Sequence, residues 1–192
     1  MSPIDYPHVT DVLSSVGMID TTWMTEAGRV RGTAVHLACQ YEAEGDLDPA
    51  SIDPLIAPYL ASYKLFRHES LTMPRVVCVE EVFVNDQYGY QGRVDIVSED
   101  RSCVMDIKTG TTQPATAIQL AAYALHFGAW RRIAVRLRRD GTYRLDSYRA
   151  DEIRRDLSLF LAALSVHNWK LANGLIVTRK REEYEQPIDR TA

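Results

Sequence analysis

The chain has 192 residues, 46% of them hydrophobic and 25% charged, with a formal net charge of −4, which fits one soluble globular domain long enough to bury its own core. Its apolar runs are too short to cross a bilayer and MSPIDYPHVTD has no basic-then-apolar signal pattern, so no membrane partner and a cytoplasmic location are expected. Cys39, Cys78 and Cys103 form no C-x-x-C pair, which argues against a zinc ribbon or a disulfide scaffold and fits a reducing compartment.

The charge is unevenly spread. Residues 1–100 carry 6 Lys/Arg against 16 Asp/Glu, a balance of −10, and residues 101–192 carry 16 against 10, a balance of +6. Local field rather than net charge steers a polyanion, so a basic half leaves a nucleic-acid partner open; scattered solvated charge gives the same count.

In chain order, Glu26–Glu44 reads as a helix after Thr25, weakened by Gly28 and Gly32. Ser51–Arg67 reads as a second, with Pro54 near its first turn and Pro58 kinking it or delaying its start. Val76–Val84, Gln91–Val97 and Ser102–Lys108 read as a three-strand meander with a turn at Tyr88-Gly89. Pro114 opens a helix that Gly128 closes after Phe127, Arg131–Arg138 and Thr142–Tyr148 form a hairpin, and Asp151–Leu171 is a long last helix. The expected architecture is a mixed α/β domain over residues 1–178: a helical part (about 1–70), a core of about five strands in one mixed sheet (about 75–150) and a closing helix (about 151–172), followed by a mobile tail, 179–192.

The stretch QGRVDIVSEDRSCVMDIKTG, Gln91–Gly110, puts Asp95, Asp106 and Lys108 into strands otherwise suited to a core. Unpaired buried charge costs several kcal/mol. An even turn centred between Asp100 and Arg101 makes partners sum to 201, which sets Asp95 opposite Asp106 and Arg93 opposite Lys108. Opposed carboxylates repel unless one is protonated or a cation lies between them; oxygen ligands with waters suit Mg²⁺ or Mn²⁺. Lys108 shares a face with Asp106, where an ammonium can activate water or stabilise charge on a phosphorus centre. A lone D-x-K also fits a surface ion pair. Gln119 and Tyr123, four apart, share a helix face and can hold a bound strand or orient the lysine, though an ordinary polar pair would look the same. His36 is a reasonable third metal ligand, or else a plain core or surface histidine.

Gly92–Asp95 (GRVD), Asp106–Lys108 (DIK) and Gln119–Tyr123 (QLAAY), with His36 upstream, resemble the RecB-type branch of the PD-(D/E)xK nucleases, over about Arg31 to Ala124. The small size resembles the phage-type exonucleases of this group. The resemblance implies a restriction-endonuclease-like fold and a metal-dependent deoxyribonuclease in recombination, repair or processing of DNA. It implies metal binding by His36, Asp95, Asp106 and the Ile107 carbonyl, with Lys108 as catalytic lysine and Gln119 and Tyr123 as the strand-positioning pair. Some members add a glutamate on the preceding strand: Glu80 if the Asn85–Tyr90 loop is even, Glu81 if it is odd, unless both are solvated edge charges. Relatives with an iron–sulfur cluster use three cysteines near the C-terminus; none follows Cys103 here, so no cluster is expected. A single-strand annealing partner and a homo-oligomer are further expectations of the phage-type resemblance. A structure-selective endonuclease, such as a junction or flap resolvase, and a non-catalytic DNA-binding module are the alternatives.

In Arg131–Arg138, Ile133, Val135 and Leu137 alternate with Arg132, Ala134, Arg136 and Arg138. An arginine row facing away from the core is expected there to bind nucleic acid, with a plain solvated face as the other reading.

Overall fold

The computed structural model describes residues 6–20, 22, 25–69 and 76–177; the expected mobile tail lies outside them. Helices α1 (Val9–Ser15), α2 (Glu26–Glu44) and α3 (Ala57–Glu69) precede strands β1 (Val76–Asn85), β2 (Tyr90–Ser98) and β3 (Cys103–Lys108). Helix α4 (Pro114–Phe127), strands β4 (Arg131–Leu137) and β5 (Tyr143–Tyr148) and helix α5 (Ile153–Ala172) follow. The five strands form one mixed sheet in the order β1-β2-β3-β4-β5. Only β3 and β4 run parallel, because a helical crossover through α4 joins them whereas short turns join the others.

Local chemistry accounts for the boundaries. The Thr25 hydroxyl accepts the Gly28 N–H at the start of α2, and Gly45 ends that helix in the left-handed conformation. Pro114 opens α4 and Gly128, also left-handed, closes it. Helix α3 starts at Ala57, later than Ser51, with Pro58 in its first turn, where its missing N–H costs nothing. Helix α1 has no side-chain cap and was not foreseen; Val9, Val12 and Leu13, at helical spacing, carry it into the core.

The sheet separates two cores. On one face Leu13, Leu120, Phe160 and Leu164 from α1, α4 and α5 pack on Phe83, Val94 and Val104. On the other, Val35, Tyr63 and Phe66 from α2 and α3 pack on Ile96, Met105, Ile107, Ile133 and Val135. Strands β3 and β4 are therefore covered on both faces.

That covering overturns the expected exposure of Arg132. Arg132 is 1% exposed: Nη1 donates to Asp156 at 2.7 Å and to the Ala117 carbonyl, and Nη2 to the Arg149 carbonyl. It ties β4 to α4 and α5, its guanidinium over the Tyr148 ring. The alternation was read correctly, but α4 and α5 cover the arginine side as well. Arg136 is half-buried against Asp146, and Arg138 is exposed beyond the end of β4.

Candidate active site

The regular ladder between β2 and β3 consists of Ile96–Met105 and Val97–Val104. These pairs keep the sum of 201, so Asp95 and Asp106 lie next in line; the pairing of Arg93 with Lys108 does not form. Beyond Ile96 the Asp95 carboxylate takes the place of the backbone partner and accepts the Ile107 N–H at 2.5 Å. Val94 packs in the α4-side core and Ile96 in the α2–α3 core, although they have the same parity; the strand turns over at Asp95.

Strand β1 is irregular at the same level. A four-residue turn keeps the register even, with Val79 opposite Ile96 and Glu81 opposite Val94, so Glu80 lies across from Asp95. Glu80 has φ +59°. A left-handed backbone in a residue with a Cβ costs about 1–2 kcal/mol, and such positions collect where function holds them. Glu81 faces Arg101 instead, at 3.4 Å.

Helix α2 carries His36 to this junction. Its Nδ1 lies 3.4 Å from a carboxylate oxygen of Glu80 and 3.4 Å from one of Asp95, and its Nε2 lies 3.0 Å from the Ile107 carbonyl. The observed partner of that carbonyl is thus the imidazole. Lys108 Nζ lies 2.7 Å from Asp106 Oδ2. The Gln119 amide nitrogen lies 2.9 Å from both Asp106 Oδ1 and the Tyr123 hydroxyl. One turn of α4 thereby holds the far side of Asp106. Tyr123 can come this close to β2 because residue 92 is glycine: a Cβ there would stand 2.8 Å from Phe83 and 3.1 Å from Tyr123.

The charges are strongly coupled. Burial pushes the His36 imidazole down, but Asp95 and Glu80 outweigh it and hold it well above its ordinary range. Burial likewise opposes ionisation of Asp95, and His36 and Lys108 overcome it, so Asp95 is held low. Asp106 is raised: burial leads, and the Asp95 charge adds to it against the pull of Lys108. Burial would lower Lys108, yet Asp106 and Asp95 raise it, so the ammonium stays charged. A cleft of about 370 Å³ reaches His36, Lys108 and Gln119 from between the first turns of α2 and α4.

The donor set fits a divalent cation. His36, Glu80 and Asp95 each offer a ligand atom within 4.8 Å of the others. Buried oxygens of Glu80 and Asp106 have no well-formed hydrogen bond. If Nε2–H donates to Ile107, the Nδ1 lone pair faces the carboxylates, as a metal-binding imidazole oriented by its second nitrogen requires. Glu80 therefore joins His36 and Asp95 in the compact group, while the two oxygens of Asp106 are turned to Lys108 and Gln119. The sequence left Glu80 and Glu81 undecided because the parity of one turn chooses between them.

Cys39 and Cys103 are buried free thiols; burial pushes the Cys103 thiol up to about 11, which makes it inert. Among the described residues no helix is long and apolar enough to cross a membrane.

No protein-family model matches the sequence, and a search of curated proteins finds no match. Among solved structures, the chain is similar to an alkaline exonuclease (LHK-Exo) from Laribacter hongkongensis, with 17% identity over 90% of this chain and 94% of that one and a TM-score of 0.42. It is also similar to a phage-related exonuclease from Haemophilus somnus 129PT, with 9% identity over 90% and 97% and a TM-score of 0.43. None of these values assigns a family.

Proposed function

We propose that the protein is a metal-dependent DNA exonuclease of the PD-(D/E)xK type that hydrolyses phosphodiester bonds. The observation that carries the reading is the meeting of Glu80, Asp95 and His36, with the Asp106–Lys108 pair beside them, at a kinked strand junction behind a cleft that His36 and Lys108 line. Buried carboxylate oxygens of Glu80 and Asp106 without a hydrogen bond are costly unless a further cation joins them. His36, Glu80 and Asp95 would hold Mg²⁺ or Mn²⁺, with Asp106 beside them. When bound, the ion would supply Lewis acidity and lower the pKa of a coordinated water.

The chain's own residues account for the rest. Lys108, kept charged by Asp106 and Asp95, stands where negative charge develops on a phosphate, and its ammonium stabilises that charge. Asp106 fixes the lysine and is itself fixed by Gln119. Tyr123, buried with its hydroxyl raised out of the titrating range, keeps its proton and orients Gln119. The DNA strand enters through the cleft between α2 and α4. A phage-type role in recombination, repair or processing, with a single-strand annealing partner, rests on the sequence resemblance alone.

Digestion of end-labelled linear and closed circular DNA with Mg²⁺, Mn²⁺ or EDTA tests the reading. Loss of the linear substrate alone, abolished by EDTA, is expected. Cutting of the closed circle would replace the exonuclease with an endonuclease, and binding with no cleavage would replace it with a DNA-binding module.

A further inference from the structure

Strands β3, β4 and β5 are in register beyond the site. Lys108 lies beside Arg136 on β4, and Arg136 beside Arg144 on β5. Directly opposed residues share a face, so the three cations form one row across the sheet, about 5 Å apart from strand to strand. The next row inward is Asp106, Ala134 and Asp146, and the one after it Val104, Arg132 and Tyr148. Helices α4 and α5 cover Arg132. The outer row is open, with side chains 31%, 21% and 61% exposed for Lys108, Arg136 and Arg144.

Asp146 organises the two arginines. Arg136 Nε lies 2.8 Å and Arg144 Nε 3.2 Å from its two oxygens, and the Thr112 hydroxyl donates to it from the loop between β3 and α4 at 3.1 Å. One carboxylate thus serves two guanidiniums, each with further donors on its other edges. Like charges directly opposed on neighbouring strands are destabilising. Arg136 and Arg144 are so placed, next to Lys108, and the row holds three cations against Asp106 and Asp146. Its deficit is in negative charge.

We infer that Lys108, Arg136 and Arg144 form a phosphate track that seats the backbone of the DNA strand leading away from the scissile bond, with Asp146 orienting the two guanidiniums. Arginine pairs with phosphate oxygens through two parallel donors, and the row starts at the lysine that would meet the reacting phosphate. This inference rests on the nuclease reading and specifies the path of its substrate.

The test measures binding of a fluorescently labelled 20-nucleotide DNA duplex by anisotropy against KCl concentration, in an Asp106→Ala background that does not cleave. Arg136→Gln and Arg144→Gln are each expected to weaken binding and to lower the slope of log affinity on log salt by about 0.9, one phosphate contact each. Asp146→Asn removes the carboxylate that, among the described residues, holds both arginines in place, and is expected to keep the slope or steepen it. Arg144 is mostly exposed, so its variant folds, and a slope unchanged by Arg144→Gln would overturn the track even if Arg136→Gln proved unstable. If the intact protein cleaves DNA in an Asp106-dependent way while no slope moves, the track alone fails. If it neither cleaves nor binds DNA, the nuclease reading fails and the track with it.

Discussion

Two buried charge groups lie within one sheet and behave oppositely. At Arg132 a single guanidinium meets Asp156 and two backbone carbonyls, and Asp156 also receives the exposed Arg155. The ions there balance inside the protein. At the β2–β3 junction, Glu80 and Asp95 crowd with His36 within 4.8 Å, Asp106 pairs with Lys108, and Arg93 lies 3.8 Å from Glu80. The first group is a one-to-one ion pair with backbone partners; the second gathers several ligand atoms about one point. A buried charge therefore points to function where ligand atoms converge, and to architecture where it is met one to one.

The largest expected effect separates the two groups by activity. Lys108→Ala, Asp95→Ala and Asp106→Ala are each expected to lower cleavage by about 10²–10⁴-fold with a native far-ultraviolet dichroism spectrum. Glu80→Gln should also lower it without a fall in melting temperature, since it removes one of the crowded carboxylates. A variant of Asp106 with wild-type cleavage would break the contrast.

Stability should show the reverse. Arg132→Met leaves Asp156 without its buried partner and is expected to cost about 3–5 kcal/mol in urea unfolding. Arg132→Met with Asp156→Leu should recover most of that loss, because an apolar pair of similar volume replaces a balanced ion pair. A single variant as stable as wild type would show that Asp156 relies on Arg155 instead.

Metal should act on one group only. Mn²⁺ at about a hundred times its dissociation constant is expected to stabilise the protein by about 2.7 kcal/mol. The shift should persist in Arg132→Met, measured relative to that variant's own apo form, and vanish in Asp95→Asn. A shift retained in Asp95→Asn would place the ion elsewhere.

The smallest effect concerns pH and lies away from both groups. His167 is pushed down by burial and its Nδ1 lies 2.7 Å from the Ser15 hydroxyl, tying α5 to α1. A histidine whose pKa is lowered by folding contributes stability that is present above its ordinary pKa and lost as pH falls from there through the lower folded value. Melting temperature should therefore fall modestly between pH 7.5 and 5.5, and less in His167→Gln. An equal slope in the variant would assign the effect to His126, which burial also lowers.

Much of the local structure could be read directly. Pro114 and Gly128 mark both ends of α4 because one lacks an N–H that a first turn does not need and the other tolerates the left-handed close. The Ile96–Met105 and Val97–Val104 register was legible because a polar turn of even length leaves one choice. Asp146, an acid in RLDSY on a strand, carries the same kind of signal as Asp95 and Asp106 but gave no motif to notice.

Periodic and local features could be read from the chain alone: helix and strand identity, the alternation that puts Asp106 and Lys108 on one face, and the four-residue spacing of Gln119 and Tyr123. Those follow from backbone geometry that each segment carries within itself. Long-range packing set the rest: α4 and α5 cover Arg132 and turn an expected DNA contact into a buried tie, Glu80 rather than Glu81 meets His36, and three cations line up across β3, β4 and β5. Each depends on how distant elements pack, and one strand's alternation cannot say which of its two faces water will reach.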